Sequence, residues 1–215
     1  MGDAAFDSSE FLATCNISRE TREMIEIFDS MFVAWTGRLN LVAKSTISDR
    51  WSRHYLDSAQ LLPLMPGDAK VVMDFGSGAG FPGLFLAILC AHDHTRSHQH
   101  YYLVESISKK CAFLREVVAA LGLTNVTILN QRIEDIKKPA KADIITARAL
   151  AGLDRLLDYS ARFMHKRSIC LFLKGEKAQE EIEAAQVNWL MDVSSHKSQT
   201  HEAAAILEIR NLSRA

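Results

Sequence analysis

Gly78, Gly80 and Gly83, preceded by Gly76 and the acid Asp74, lie in the run VVMDFGSGAGFPG at residues 71–83. Gly76, Gly78 and Gly80 turn through positive φ and let a ligand approach bare backbone, and the G-x-G-x-x-G spacing of Gly78, Gly80 and Gly83 fits a dinucleotide pyrophosphate. Asp74 favours a different guest. A carboxylate at the end of the strand repels pyrophosphate but attracts the α-ammonium and sulfonium of S-adenosylmethionine, directly or through water. Glu105 closes the next apolar run, YYLVE, where an acid can accept both hydroxyls of an adenosine ribose. A surface charge or an acid beside a helix start is its alternative. The segment LNQRIED offers Ile133 to cover an adenine face and Glu134, or a neighbouring backbone N–H, to meet its edge; solvent exposure accounts for them equally well. Arg148 follows ADIITA, where a substrate would face the methyl group. Phosphate pairing, base stacking and a structural salt bridge are all open to it.

Other chemistries find less support. No N-P-P-Y-like element follows the Arg148 strand, and Cys90 and Cys111 fall within helical patterns rather than at a nucleophile's position. His92, His94, His98 and His100 lack the spacing of a closed zinc site and read as a solvated loop, so no metal is expected.

Positioning these residues takes alternating strands and helices. The patterns predict strands at 71–75, 101–105, 125–129, 142–147 and 168–173. Helices follow at 82–91 with Pro82 in the first turn, at 109–121 between Ser108 as N-cap and Gly122, and at 152–164 and 176–186. Residues 189–194 and 203–210 read as an antiparallel edge pair. Ahead of the first strand, Met24, Ile27, Phe28, Met31, Phe32 and Trp35 form an apolar stripe on a helix over 18–36 that Gly37 ends. A second helix, about Ser48 to Leu62, presents Trp51, Tyr55, Ser58 or Ala59, and Leu62 before Pro63 stops it. The division expected is a helical extension at 1–66 packed on an α/β cofactor-binding domain at 67–215.

With 215 residues, 48% hydrophobic and 24% charged, the chain can bury one substantial core. It shows no apolar run of the roughly 18 residues a membrane span needs, and its start lacks a secretory signal, so a cytoplasmic protein with no membrane partner is expected. Scattered Cys15, Cys90, Cys111 and Cys170 suit reduced, partly buried thiols. The net charge of −1 hides an uneven distribution: residues 1–30 hold seven acids against two bases. The compensating basic groups are Arg38, Lys44, Arg50 and Arg53, then Lys109, Lys110 and Arg115, then Arg132, Lys137, Lys138 and Lys141. They could converge on one RNA-facing surface, or each be a solvated face.

Taken in order, NLVAKSTISDRWSRHYLDS, DFGSGAGFPGLFLAIL, YYLVESISKKCAFLREV, LGLTNVTILNQRIED and ITARAL resemble the bacterial small-subunit rRNA guanine-N7 methyltransferase family, also called glucose-inhibited division protein B. The resemblance spans about residues 20–185. It implies a class I methyltransferase fold, Rossmann-like with helices on both faces of a mostly parallel sheet and a helical N-terminal extension. It also implies transfer of a methyl group from S-adenosyl-L-methionine to N7 of a guanine in the decoding-region loop of 16S rRNA, naked or within an assembling small subunit. By the same resemblance Gly76 and Phe81 belong to the methionine and adenosine pocket, Glu105 to the ribose, Ile133 and Glu134 to the adenine, and Arg148 to the cofactor or substrate side. Asn40, His54 and Asp57 line the substrate side. Phe75 replaces a smaller aliphatic residue, Ala147 a common serine, and the histidine-rich loop a shorter turn.

Guanine N7 carries a free in-plane lone pair, so orientation rather than a catalytic base should dominate such a reaction. Two other classes stay open at this point: an NAD-dependent oxidoreductase, opposed by Asp74, and a non-catalytic RNA or ribosome-assembly factor, opposed by a complete cofactor pocket.

Overall fold

Apolar residues at three- and four-residue intervals need a partner surface, and the N-terminal helices supply one another and the central sheet with it. The computed structural model describes residues 6–15, 17–137 and 140–215; Lys138 lies outside them. Ser8–Cys15 (α1), which the sequence patterns did not single out, precedes Arg19–Thr36 (α2). The Ser18 hydroxyl caps α2 by accepting the Thr21 N–H at 3.2 Å. The buried line of α2 is Thr21, Ile25, Phe28, Phe32 and Thr36. Ile27, expected in the apolar stripe, is instead 44% exposed. It sits about 100° round the helix from Phe28, and the line through Phe28 and Phe32 faces the core. A π-helical turn, Trp51–Leu56, runs into Asp57–Ala59 (α3), and Pro63 lies inside a following 3₁₀ turn, Leu62–Leu64.

Short apolar runs buried on both faces then become parallel strands. Val71–Phe75 (β1), His100–Val104 (β2), Val126–Leu129 (β3), Ala142–Arg148 (β4) and Met164–Lys174 (β5) alternate with Gly83–Cys90 (α4), Ser108–Ala120 (α5) and Leu153–Ala161 (α6), before Ala178–Ala185 (α7). Trp189–Lys197 (β6) and Ala205–Arg214 (β7) complete a sheet of order β3-β2-β1-β4-β5-β7-β6. β7 is antiparallel to both its neighbours, giving the expected antiparallel edge. The order reverses direction beside β1, so the carboxyl ends of β1, β2 and β4 open a crevice of the kind that receives ligands in such sheets.

At the starts of α5 and α4 the expected terminal residue is displaced. Ser108 is the first residue of α5, not its cap; Ile107 stands at the cap position, and the Glu105 carboxylate takes the Ile107 N–H at 2.7 Å. α4 begins at Gly83, with Pro82 one residue outside it.

Aromatic packing joins the N-terminal helices to the sheet. Phe11, Phe28, Phe32, Trp51, Tyr55, Phe81 and Phe85 pack with Phe113 of α5 in one cluster. Trp51 stacks on Tyr55 at 4.3 Å and Tyr55 meets Phe85 edge-on at 5.0 Å. Each such ring contributes roughly 1.5–3 kcal/mol by leaving water. A second cluster, including Phe75, Leu156, Phe163, Phe172 and Trp189, fills the opposite face beneath α6 and α7.

Candidate functional site

After β1 the backbone passes through Gly76, Gly78 and Gly80 at φ 71°, 54° and 93°. Above Gly78 the space is open: a Cβ there would find nothing nearer than the Gly76 carbonyl oxygen at 3.6 Å and Lys110 Nζ at 4.0 Å. The Gly78 N–H donates to Glu105 Oε2 at 3.0 Å, and Glu105 is 6% exposed. Backbone of the first loop and the acid of the second strand therefore form one cradle. Gly83 serves another purpose, because its Cβ would lie 2.3 Å from the Asp74 Cβ. The helix starts directly against the strand end, a contact that only glycine permits.

Asp74 lies beneath this contact. Its Oδ1 accepts the Thr146 hydroxyl at 2.6 Å, while Oδ2 is buried without a hydrogen-bond partner. Burial pushes the Asp74 carboxyl above the ordinary carboxylate range. An acidic oxygen without a partner against the start of α4, and a second carboxylate bound to the open loop at Gly78, fit a cationic adenosine-bearing group and disfavour a pyrophosphate. Thr146, which the sequence reading passed over, was legible as the lone hydroxyl in the apolar strand ADIITA.

Across the crevice, Arg148 ends β4 and turns toward the N-terminal helices. Its Nη1 donates to the Arg53 carbonyl at 2.8 Å, to His54 Nδ1 at 3.2 Å and to Asp57 Oδ2 at 3.2 Å, and its guanidinium lies 5.5 Å from the centre of the Phe81 ring. Burial lowers the Arg148 pKa, with Asp57 opposing the shift. The His54 ring also contacts the Thr46 hydroxyl through Nε2 at 3.0 Å and stacks on Phe81 at 5.4 Å. Nδ1 accepts from an arginine, which makes His54 the neutral Nε2–H tautomer. Burial, then Arg148 and Arg53, hold its pKa down to about 3. Thus His54, Asp57 and Arg148 come together, whereas Asn40 is exposed and hydrogen-bonds to none of them.

After β3, Ile133 is 6% exposed and packs into the sheet core. Glu134 points away toward α6, accepting the Tyr159 hydroxyl at 2.7 Å and Arg155 Nη2 at 3.1 Å. The Glu134 side chain is thereby engaged with α6. Phe81 is 3% exposed and sits in the seam between the loop and the N-terminal aromatic cluster.

The basic groups do not converge as a set. Arg50 is sequestered by a two-point pair with Asp29 at 2.6 and 3.0 Å. Lys141 donates to the Arg162 and Met164 carbonyls. It precedes β4 at the end opposite Arg148, about 20 Å away along the strand. Arg53 next to His54, Lys109 in the first turn of α5 and Arg132 after β3 are exposed, and Lys110 Nζ lies 4.0 Å from the Cβ position of Gly78. Among the described residues no group of three His, Cys, Asp or Glu could hold a metal ion; His98 contacts the Ala69 carbonyl and His100 the Thr127 hydroxyl. The thiols of Cys15 and Cys90 are pushed up to about 11 and that of Cys170 to about 12 by burial, which makes them poor nucleophiles. A separate cavity of about 470 Å³ lies at the far end of α4, lined by residues such as Thr21, Leu56, Gln60 and Leu89, away from the glycine loop.

A family model described as GidB, rRNA small subunit methyltransferase G, matches residues 21–211. A protein named ribosomal RNA small subunit methyltransferase G from Paramagnetospirillum magneticum is 45% identical over 95% of this chain and 96% of its own. Among solved structures, a SAM-dependent methyltransferase from Aquifex aeolicus matches with TM-score 0.55 at 17% identity, over 74% of this chain and 90% of that one. M. jannaschii TYW2 in complex with AdoMet matches with TM-score 0.55 at 16% identity, over 81% and 78%. The two structures share the class I methyltransferase fold with this chain.

Proposed function

Because the chain belongs to the GidB family of rRNA small subunit methyltransferases G, we propose that the crevice at the carboxyl ends of β1, β2 and β4 carries its reaction. That reaction is transfer of a methyl group from S-adenosylmethionine to N7 of a guanine in 16S rRNA. The observation that carries the assignment of the crevice is the open backbone at Gly78 joined to Glu105, with the unpartnered Asp74 oxygen near the end of β1 against Gly83. Family membership sets aside the NAD-dependent oxidoreductase and the non-catalytic assembly factor.

When bound, S-adenosylmethionine supplies an electrophilic methyl group. Asp74 and the Gly76–Gly80 backbone would hold its amino-acid end, Glu105 its ribose hydroxyls, and the loop carrying Ile133 and Glu134 its adenine. Phe81 would form the wall between this pocket and the substrate. Guanine N7 attacks with its own lone pair and loses no proton, so His54 has no base to provide; held neutral, it accepts from Arg148 and aligns it. Arg148, anchored through Nη1, offers Nη2 and Nε to the guanine or an adjacent phosphate. Asn40 would approach only with RNA in place. Arg53, Lys109 and Arg132 would meet phosphates around the base. The same reading treats residues 1–66 as an extension closing the substrate side of a domain at 67–215, and places the protein in the cytoplasm with its RNA.

The test uses 16S rRNA and small subunits from cells lacking this protein, incubated separately with purified protein and S-adenosylmethionine. Chemical cleavage at 7-methylguanosine should reveal one modified guanine, and the better of the two substrates identifies the form recognised. Label on neither, or on a position other than N7, overturns the reading.

A further inference from the structure

The hairpin turn between β6 and β7 reaches the substrate side of the crevice, although no motif marks it. The Thr200 hydroxyl donates to Asp57 Oδ1 at 3.0 Å across a sequence separation of 143 residues. Gln60 Nε2 donates to the same oxygen at 2.9 Å and approaches Ser198 Oγ at 3.3 Å, while Gln60 Oε1 accepts the Gln199 N–H at 2.8 Å. Ser198 Oγ in turn lies 3.0 Å from Thr200 Oγ1. Asp57 is thus held by two neutral donors on one oxygen and meets Arg148 with the other.

Arg148 needs that support. Its anchoring rests on Nη1 alone, and the contact with Asp57 is single and long at 3.2 Å. Among the described residues Nη2 and Nε have no hydrogen-bond partner in the protein. A carboxylate turns about its last bond in a broad, two-fold well, so an Asp57 without donors on Oδ1 would rotate and leave the guanidinium free to swing about its remaining contacts with the Arg53 carbonyl and His54. We propose that the 198–200 turn, through the Thr200 hydroxyl and Gln60, fixes the rotation of Asp57 and hence the aim of Arg148, making Thr200 a positioning residue for methyl transfer; the inference rests on the functional reading above.

Three chains test it: the parent, Thr200→Val, which removes the hydroxyl at constant shape, and Thr200→Ser, which restores it. With unmethylated small-subunit RNA, Thr200→Val should lower kcat by roughly tenfold, the scale of one lost hydrogen bond to a charged group, with KM for S-adenosylmethionine and Tm as in the parent. Thr200→Ser should stay within about twofold of the parent. Gln60→Leu, which removes the other donor, should repeat the kcat loss and guards against a folding defect in the valine variant. A valine variant that turns over like the parent, or a serine variant as impaired as valine, overturns the proposal. A second readout stands apart from catalysis: ¹⁵N-arginine NMR, with the Arg148 guanidinium identified by its disappearance in Arg148→Lys. Slow Nη proton exchange should be lost in Thr200→Val and kept in Thr200→Ser; equal exchange in all three chains overturns the proposal. If the parent methylates no RNA while this exchange pattern holds, the methyl-transfer reading fails and the positioning role stands.

Discussion

Around Gly78 the surface offered to a ligand is main chain; around Arg148 it is side chain. The first region is built by the loops that follow two adjacent strands, with Gly76 to Gly83 directly after β1 and Glu105 directly after β2. The second is assembled from three stretches far apart in the chain, contributing Thr46, His54 and Asp57, then Arg148, then Thr200. A main-chain cradle depends on the absence of side chains and fails when one is added. A side-chain cluster depends on each member orienting the next, and it fails by degrees.

Substitutions should separate the two regions. The largest effect is expected from Gly78→Asp, which puts a charge into open space without touching the core. Calorimetry should show affinity for S-adenosylmethionine reduced about a hundredfold or more, with Tm lowered only by the few degrees that a side chain at φ 54° costs. Joint loss of binding and folding would show that the cradle is not independent of the core. Gly83→Ala should do the reverse. Its methyl group meets Asp74 inside the fold, so urea denaturation should report a loss of about 2–3 kcal/mol; an unchanged midpoint would mean α4 can withdraw from β1 cheaply.

His54 gives the arginine side a pH signature. Its pKa is lowered from 6.5 to about 3 in the folded chain, so below 6.5 the unfolded chain takes up a proton that the folded chain refuses. Stability contributed by neutral His54 is complete above 6.5 and declines by about 1.4 kcal/mol per pH unit as pH falls toward 3. His54→Asn, which keeps an acceptor for Arg148, should flatten that part of the stability curve between pH 6.5 and 5. The same slope in parent and variant would refute the assignment. The smallest effect is expected from Lys141→Ala. At the remote end of β4 it should leave the salt dependence of RNA binding unchanged, whereas Lys109→Ala should shallow the slope by about one phosphate contact. A reduced slope in Lys141→Ala would extend the RNA footprint around the sheet.

This division also governs what the sequence could reveal. Strand β1, the glycine loop, α4 and Glu105 were legible because short-range rules fix them: apolar runs, turn residues and the position of an acid after a strand. Arg148 was legible as a residue and His54 and Asp57 through family resemblance, but the contact of Asp57 with Thr200 has no local signature. Ile27 misled because its apolar neighbours permit more than one line down α2, and tertiary packing chose the one through Phe28. Arg50 looked like a free cation until the fold brought Asp29 against it. Glu134 kept its place in the chain but turned toward Tyr159.

The sheet order carries one more consequence, for the timing of assembly. β7 follows β6 along the chain yet lies between it and β5. During synthesis, a chain that has not yet extended through residue 205 has an unoccupied β5 edge and a β6 segment with no strand to join. Arrival of β7 resolves both at once and brings the 198–200 turn to Asp57. A growing chain therefore gains its outer sheet and the support for its arginine in a single late step, and a molecule interrupted before that step would expose two adhesive strand edges while lacking a correctly aimed Arg148.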